Sequence, residues 1–256
     1  MKITNNLKWA IGLIEAEGYI GFNNNSLLKW VIVLKVSMKN NNSQAIYKLK
    51  KLLKAGSISH SEDGMLTYQL RNTTKFLTHI KPILDAYPFK SSKYYEYLLT
   101  LEAIKFLQSD YSVLQKDNLL TELKIKLQEI KLDRYKIAPN IVLDDHWLAG
   151  FIEGDGSLQI NNKNQLVFEL GQAYNHLLLE KIKDYLNIKT KIYIRKDDSY
   201  AILRTKKKET IDNLINKLKN KLLGSKSLEL KIWAYANNTK LEKKVSRAKL
   251  LLKKLR

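Results

Sequence analysis

The sequence predicts an α+β fold built from two pseudo-symmetric halves, each running α-β-β-α-β-β-α with a four-stranded antiparallel saddle-shaped sheet, packed through one helix from each half. Three observations carry that expectation. Residues 10–18 read AIGLIEAEG and residues 148–156 read LAGFIEGDG, matching at Gly12/Gly150, Ile14/Ile152, Glu15/Glu153 and Gly18/Gly156, with Glu17 opposite Asp155; such self-similarity marks a repeated unit. Strand-like runs follow each copy in pairs joined by short turns, so the sheets are antiparallel hairpins rather than parallel strands linked by crossover helices. A 45% apolar content with 9% aromatics and three prolines supplies a core and excludes a disordered basic chain.

The elements follow in order. Asn5 or Asn6 is placed to cap a helix from about Leu7, and Gly18 to end it as a left-handed terminator. Strands then fit 19–24 and 29–38, an amphipathic helix 43–54, strands 56–60 and 65–71, and helical segments 74–107. Residues 108–144 read as a linker, with a helix in LLTELKIKLQEIKL and extended chain in IAPNIVLDD, where Pro139 disfavours helix at Ala138. In the second half Asp144 or Asp145 caps a helix running from about His146 to Gly156, followed by strands 157–162 and 165–171, a helix at 175–186, strands 190–196 and 199–205, and helices from 207 onward. Residues 240–256 hold eight basic residues and one Glu, with Val245, Ala248, Leu251, Leu252 and Leu255 on one helical face. The division is therefore a first repeat, 1–107, the linker, 108–144, and a second repeat with a basic tail, 145–256.

Period-2 alternation assigns the sheet faces. Trp30, Ile32, Leu34 and Val36 point inward, leaving Lys29, Val31, Val33, Lys35 and Ser37 outward; Leu66, Tyr68 and Leu70 oppose Thr67, Gln69 and Arg71. In the second half Leu158 and Ile160 oppose Ser157, Gln159 and Asn161, while Leu166, Phe168 and Leu170 oppose Val167, Glu169 and Gly171. One face of each sheet is thus apolar. The other is either a solvated surface or a row of base readers, since Arg and Lys pair with guanine and Asn or Gln with adenine in a major groove.

Composition narrows the function. There are 45 Lys plus Arg against 25 Asp plus Glu, a net charge of +20 on 29.8 kDa, which calls for a polyanionic partner. With no cysteine, disulfides, thiolate zinc sites and thiol catalysis are excluded. His60, His79, His146 and His176 form no metal-binding spacing. No apolar run is long enough for a bilayer, and MKITNNLKW lacks a signal-peptide core, so a soluble chain with no membrane partner is expected. Richness in Lys, Asn and Ile suggests AT-rich coding, pointing to an organelle, the mitochondrion before the chloroplast.

The two repeated motifs end in acid-small-acid, EAE and EGD, at the C-terminal ends of their helices, where negative charge is disfavoured by roughly 0.3–1 kcal/mol per exposed group. Gly12 with Ala16, and Gly150 with Gly154, lie four apart on one helical face and permit close helix packing. If the helices pair, Glu17 and Asp155 come together. Two such carboxylates resist joint ionisation unless a cation neutralises them, and oxygen-only ligation suits Mg²⁺. A tight interface with incidental acids remains the alternative, and helix periodicity alone does not choose between the two acids of each motif.

Both motifs resemble the signature of the LAGLIDADG homing endonucleases, and their spacing resembles the single-chain, two-repeat members. The resemblance implies a monomer with pseudo-two-fold symmetry whose two sheets straddle double-stranded DNA. It assigns the divalent metal sites to Glu17 and Asp155, with the carbonyls of Ala16 and Gly154 as further ligands, and leaves Glu15 and Glu153 structural. Ser92-Lys93 and Ser225-Lys226 stand where the family places a basic pocket residue, so Lys93 and Lys226 are candidates to polarise the scissile phosphates or help activate water. Gln172 resembles a polar residue that orients water, while its first-half counterpart is Met38, or Lys39 if the register slips. The implied cofactor is Mg²⁺, with Mn²⁺ expected to substitute and Ca²⁺ to support binding only. The implied reaction is a staggered double-strand cut in an asymmetric site of roughly 20 bp. Candidate DNA contacts are Lys29, Lys35, Ser37, Thr67, Gln69 and Arg71 in the first half, and Gln159, Asn161, Glu169, Lys191, Tyr193, Arg195, Tyr200 and Arg204 in the second. An RNA maturase acting on host intron RNA through the basic tail is the alternative, and a DNA-binding module without cleavage is a third reading.

If the basic faces neutralise many phosphates, binding to duplex DNA is expected to weaken by several decades between roughly 50 and 200 mM salt. Lys29→Ala or Lys35→Ala should weaken it, and Glu129→Ala should not; a nearly flat salt titration would contradict a nucleic-acid partner.

Overall fold

The computed structural model describes residues 3–26, 28–133, 136–239 and 241–255; Lys240 and Arg256 of the expected basic tail lie outside them. At its centre α1 (Asn5–Glu17) packs along its full length on its counterpart α7 (Asp145–Asp155). The closeness of that packing follows from two glycines. A Cβ on Gly12 would lie 2.1 Å from the Trp147 carbonyl oxygen, and one on Gly150 would lie 1.9 Å from that of Trp9. Trp9, Ile11, Leu13, Trp147, Phe151 and Ile152 are fully buried around this contact, with Trp147 stacked on Phe151 at 5.0 Å between ring centres.

Each helix runs into a strand without a loop. In the first half β1 (Gly18–Asn24) pairs with β2 (Trp30–Lys39), α2 (Ser43–Leu53) crosses behind, and β3 (Ser57–His60) and β4 (Met65–Leu70) complete a sheet of order β1-β2-β4-β3. Then α3 (Thr73–Lys75), a π turn (Phe76–Ile80) and α4 (Lys81–Ala86) form one irregular helix, which stops at Tyr87 (φ −146°, ψ 86°), held out of the helical region before Pro88. Next come α5 (Lys93–Gln108) and α6 (Val113–Leu132). The second half repeats the plan: α7 leads into β5 (Gly156–Ile160) and β6 (Leu166–Ala173), followed by α8 (His176–Tyr185), β7 (Tyr193–Ile194), β8 (Tyr200–Thr205), α9 (Lys208–Leu218), α10 (Lys226–Asn237) and α11 (Glu242–Lys254), with sheet order β5-β6-β8-β7.

Several sequence expectations need correction. Thr4, not Asn5 or Asn6, caps α1, because Thr4 is extended and its hydroxyl accepts from Leu7 N at 3.3 Å, while Asn5 is already helical. Asp144 caps α7, accepting from His146 N and Trp147 N. Gly18 (φ −88°) and Gly156 (φ −74°) are extended rather than left-handed. Glycine is needed there for space, since a Cβ on Gly18 would lie 2.3 Å from Ile14 O. Strand 190–196 shrinks to Tyr193–Ile194, because the Thr190 hydroxyl donates to Arg204 O at 2.6 Å where a ladder amide would have done so. That leaves Lys191 and Arg195 just outside the strand. Val33 and Val167, expected outward, are buried at 3% and 1% exposure. On α11 the buried stripe is Val245, Ala248 and Leu252, whereas Leu251 is exposed.

The linker helix is part of the first half's packing. A capping box of Ser112 and Gln115 starts α6, which buries Leu120, Leu123 and Leu127. It closes on the edge strand β1, where the Lys124 ammonium donates to Phe22 O at 2.8 Å and Asn23 Oδ1 at 2.6 Å and so blocks further strand pairing. In the second half α11 takes the matching place beside α10 and β5. Among the described residues no helix is long and apolar enough to cross a membrane.

Gly150→Ala is expected to force α1 and α7 apart and lower stability by at least ~1–3 kcal/mol, the usual cost of overpacking. Urea unfolding measures it, and an unchanged midpoint would contradict the close backbone contact.

Candidate active site

Because α1 and α7 pack in register, their C-terminal ends emerge side by side between the two sheets. A Cβ on Gly154 would lie 2.5 Å from Ala16 Cβ and 2.8 Å from Glu17 Cγ, so Gly154 is what lets Glu17 lean across the interface toward Asp155. The repulsion is evident at Asp155: burial first, then the Glu17 charge, push its carboxyl up from 3.8 to about 7, against the pull of Lys93, Gln172 and Lys226. Glu17 is also raised, by desolvation, with Lys226 and then Lys93 opposing. Its side chain is more open to water than that of Asp155, so the effect at Glu17 is the more strongly screened.

The first acid of each motif has a different task. Buried Glu15 accepts from Trp147 Nε1 at 2.8 Å and from the amides of Lys90 and Ser91, just ahead of α5. Buried Glu153 accepts from Gly224 N at 3.0 Å and Lys226 N at 3.1 Å, at the start of α10. Each therefore clamps the helix start that carries Lys93 or Lys226. The Lys226 ammonium donates to Glu153 O at 2.7 Å and Gly154 O at 3.2 Å. A cation thus already sits at the terminal carbonyls of α7, and the Gly154 carbonyl expected to ligate metal is committed to Lys226 in this structure.

Gln172, on β6, is buried and donates through Nε2 to Asp155 Oδ2. Gly156 pairs with Leu170 and Gly18 with Val36, so the residue equivalent to Gln172 is Met38, not Lys39. Met38 and Met65 line a cavity of about 460 Å³ over Glu17 together with Ser157, Ser225 and Lys226. The two carboxylates therefore meet unlike neighbours. Among the described residues no three His, Asp or Glu side chains form a metal cluster. Two hard carboxylates that repel one another do fit a Mg²⁺ that takes its other ligands from water and phosphate.

The outward candidates fall into two groups. In the first sheet Lys35 faces Gln69 and Ser37 faces Thr67, with Ser37 and Thr67 hydroxyls 2.9 Å apart. With the Gln69 amide turned so that its oxygen rather than its nitrogen faces Arg71, the guanidinium donates to it from Nε at 2.8 Å and Nη2 at 3.0 Å. Exposed Lys29 lies in the β1–β2 turn. In the second sheet Arg204 pairs with Glu169 at 3.5 Å, Arg195 lies over Tyr200 at 5.1 Å, Gln159 donates to Ser157 at 2.8 Å, and Tyr193 is 61% exposed. Tyr200 packs its hydroxyl over Gly171, where a Cβ would lie 2.1 Å from it, so a larger residue would require the ring to move aside. Asn161 is occupied with its turn, accepting from Lys163 N and Gln165 N. Sequence reasoning passed over Asn42 and Asn175, whose signal is an asparagine directly before the helix after the second strand in both halves.

A carboxyl raised in the folded state favours folding while protonated; its penalty grows as pH rises from 3.8 toward 7 and is full above that. Without divalent ions, Asp155→Asn is expected to melt higher than wild type near about pH 8, with the gap closing below about pH 4. Equal melting temperatures at both pH values would contradict the electrostatic reading.

A family described as LAGLIDADG endonuclease matches residues 10–104 and 148–237. The chain is 29% identical to the "Probable intron-encoded endonuclease Cox1-I1b" of Schizosaccharomyces pombe, over 97% of this chain and 68% of that protein. It is 28% identical to the "Probable intron-encoded endonuclease aI3" of Dictyostelium citrinum, over 86% of this chain and 90% of that protein. Similar solved folds include meganuclease I-SmaMI bound to uncleavable DNA, with a TM-score of 0.78, 20% identity, and coverage of 100% of this chain and 96% of that one. Another is homing endonuclease I-GzeII in complex with a DNA target, with a TM-score of 0.78, 19% identity, and coverage of 99% and 97%. With both of its repeats matched and its paired motif helices bringing Glu17 beside Asp155, the chain belongs to the LAGLIDADG endonuclease family.

Proposed function

We propose that this endonuclease makes a metal-dependent, staggered double-strand cut in a long, asymmetric DNA site, acting as a homing enzyme and as a monomer whose halves, 1–107 and 145–256, are joined by 108–144. The meeting of Glu17 and Asp155 at one point between two basic-faced sheets carries this reading. A divalent ion bound there supplies charge neutralisation and Lewis-acid polarisation of the scissile phosphate. Glu17 and Asp155 would hold it beside the Ala16 carbonyl, and the Gly154 carbonyl would join them only on release from Lys226. Gln172 fixes the Asp155 carboxylate by hydrogen bond. Lys93 and Lys226, both drawn to these acids, place positive charge where the attacked phosphate becomes more negative. No protein nucleophile is required.

Specificity comes from the outward faces. Gln69, Arg71, Gln159, Arg195 and Arg204 are the proposed base readers, each worth roughly 1–3 kcal/mol at its base pair when bidentate. Arg71 and Arg204 must first leave Gln69 and Glu169. Val33 and Val167, being buried, leave gaps in the two outward rows and take no part in reading. Lys29, Lys35, Ser37, Thr67, Asn161, Lys191, Tyr193 and Tyr200 complete the contact surface. A mitochondrial intron suits both the composition and the intron-encoded relatives. RNA maturation remains the alternative, for which the basic outer side of α11 is the available surface.

The calcium complex of I-SmaMI, bound to its uncleaved DNA target, supports expecting Ca²⁺ to permit binding without cutting. Glu17→Gln and Asp155→Asn, incubated with a cognate duplex and Mg²⁺ (or Mn²⁺), are expected to lose cleavage of at least one strand while keeping affinity. Full cutting by the double variant, or by wild type in excess chelator, would refute the carboxylate–metal reading.

A further inference from the structure

Asn42 stands before α2 and Asn175 before α8, at equivalent N-cap positions with similar backbones, φ −114° and ψ 29° against φ −128° and ψ 42°. An asparagine here normally accepts from an amide in the first helical turn. Neither side chain makes that bond. Both are buried, at 6% and 9% exposure, and both turn toward the catalytic centre. Asn42 accepts from Ser225 N at 2.9 Å and reaches Glu153 Oε1 at 3.4 Å, supporting the helix start that carries Lys226. Asn175 Nδ2 donates to Gln172 Oε1 at 3.0 Å, and Gln172 Nε2 donates to Asp155.

The polarity of this second chain is set by chemistry. An ionised carboxylate only accepts, so Gln172 must present its NH₂ group to Asp155 and its oxygen to Asn175, which in turn must donate. The Asn175 Oδ1 atom, although buried, accepts no bond. A residue kept only to stabilise its turn would use that oxygen in the cap, because an unpartnered buried acceptor is costly. In the other half Met38 occupies the place of Gln172, and its thioether lies 3.8 Å from Asn42 Nδ2, so no equivalent relay exists there.

We propose that Asn175 is a positioning residue: it holds the Gln172 amide with its NH₂ group toward Asp155, and thereby supports cleavage of one DNA strand but not the other. This rests on the nuclease reading above. Without the Asn175 donor the Gln172 amide is free to rotate. An aspartate at this position, able only to accept, draws the Gln172 NH₂ group toward itself and turns the Gln172 oxygen against Asp155. Asn175→Asp should therefore be worse than Asn175→Ala, an order that loss of packing would reverse.

The experiment follows each labelled strand of a cognate duplex in single-turnover cleavage with Mg²⁺, using wild type, N175A and N175D. In parallel, at about pH 8, where Asp155 is mostly ionised, the Gln172 side-chain amide is observed by ¹⁵N NMR of the metal-free protein, identified by its loss in Q172L. N175D is expected to slow one strand by roughly 10- to 100-fold, the range for residues that orient ligands, with N175A intermediate and the other strand unchanged. DNA affinity in Ca²⁺ should stay constant. The Gln172 amide protons should be displaced downfield and protected in wild type, and lose both features in N175D. Equal slowing of both strands, unchanged rates, or an unchanged Gln172 amide signal would overturn the proposal. If wild type itself fails to cut, the nuclease reading falls, and the amide signal still decides the relay.

Discussion

The backbones of α1 and α7 touch at Gly12 and Gly150, where neither chain has room for a Cβ, and the other features of the molecule depend on that contact. It fixes the halves in one register, so that the helix ends coincide. It also converts two ordinary acidic helix termini into a single site. A side chain at either glycine would push the helices apart and carry the two carboxylates with them, and the buried tryptophans around them would lose their packing.

Each motif divides its two acids by the turn of the helix. Glu15 and Glu153 point into the body and are consumed by amides at the starts of α5 and α10. Glu17 and Asp155 emerge at the end and meet each other. The buried acids position the lysines, and the lysines temper the repulsion between the emerging acids. Lys226 goes further and lies against the last carbonyls of α7. Positive charge at that helix end offsets the unfavourable dipole that the acids alone would aggravate.

The pseudo-symmetry is strict in backbone and broken in chemistry. Both sheets have the same strand order and both first strands begin at a glycine. Yet Gln172 braces Asp155 while Met38 faces the cavity over Glu17. The outward rows differ equally, with Lys35 and Gln69 paired in one sheet and Glu169 and Arg204 in the other. Under the function proposed above, this asymmetry would suit unlike half-sites and unequal treatment of the two strands.

The sequence by itself determined the architecture and singled out the two acid pairs, while the family resemblance chose Glu17 and Asp155 within them. Two copies of a motif, hairpin-spaced strands and a steep basic excess are local properties, and period-2 alternation reads a strand's faces without knowledge of its neighbours. The resemblance also pointed to Lys93, Lys226 and Gln172 as candidates, whose surroundings the structure then supplied. Tertiary structure decided what spacing cannot carry. Whether a glycine serves dihedral freedom or clearance depends on what approaches it, as at Gly18. Whether 190–196 pairs fully depends on which donor reaches Arg204 O, and Thr190 does so first. The turning of Asn42 and Asn175 away from their own helices is invisible in sequence, because a cap asparagine and a relay asparagine have the same neighbours along the chain. Only the position of Gln172 on one side and of Ser225 from the opposite half on the other separates the two roles.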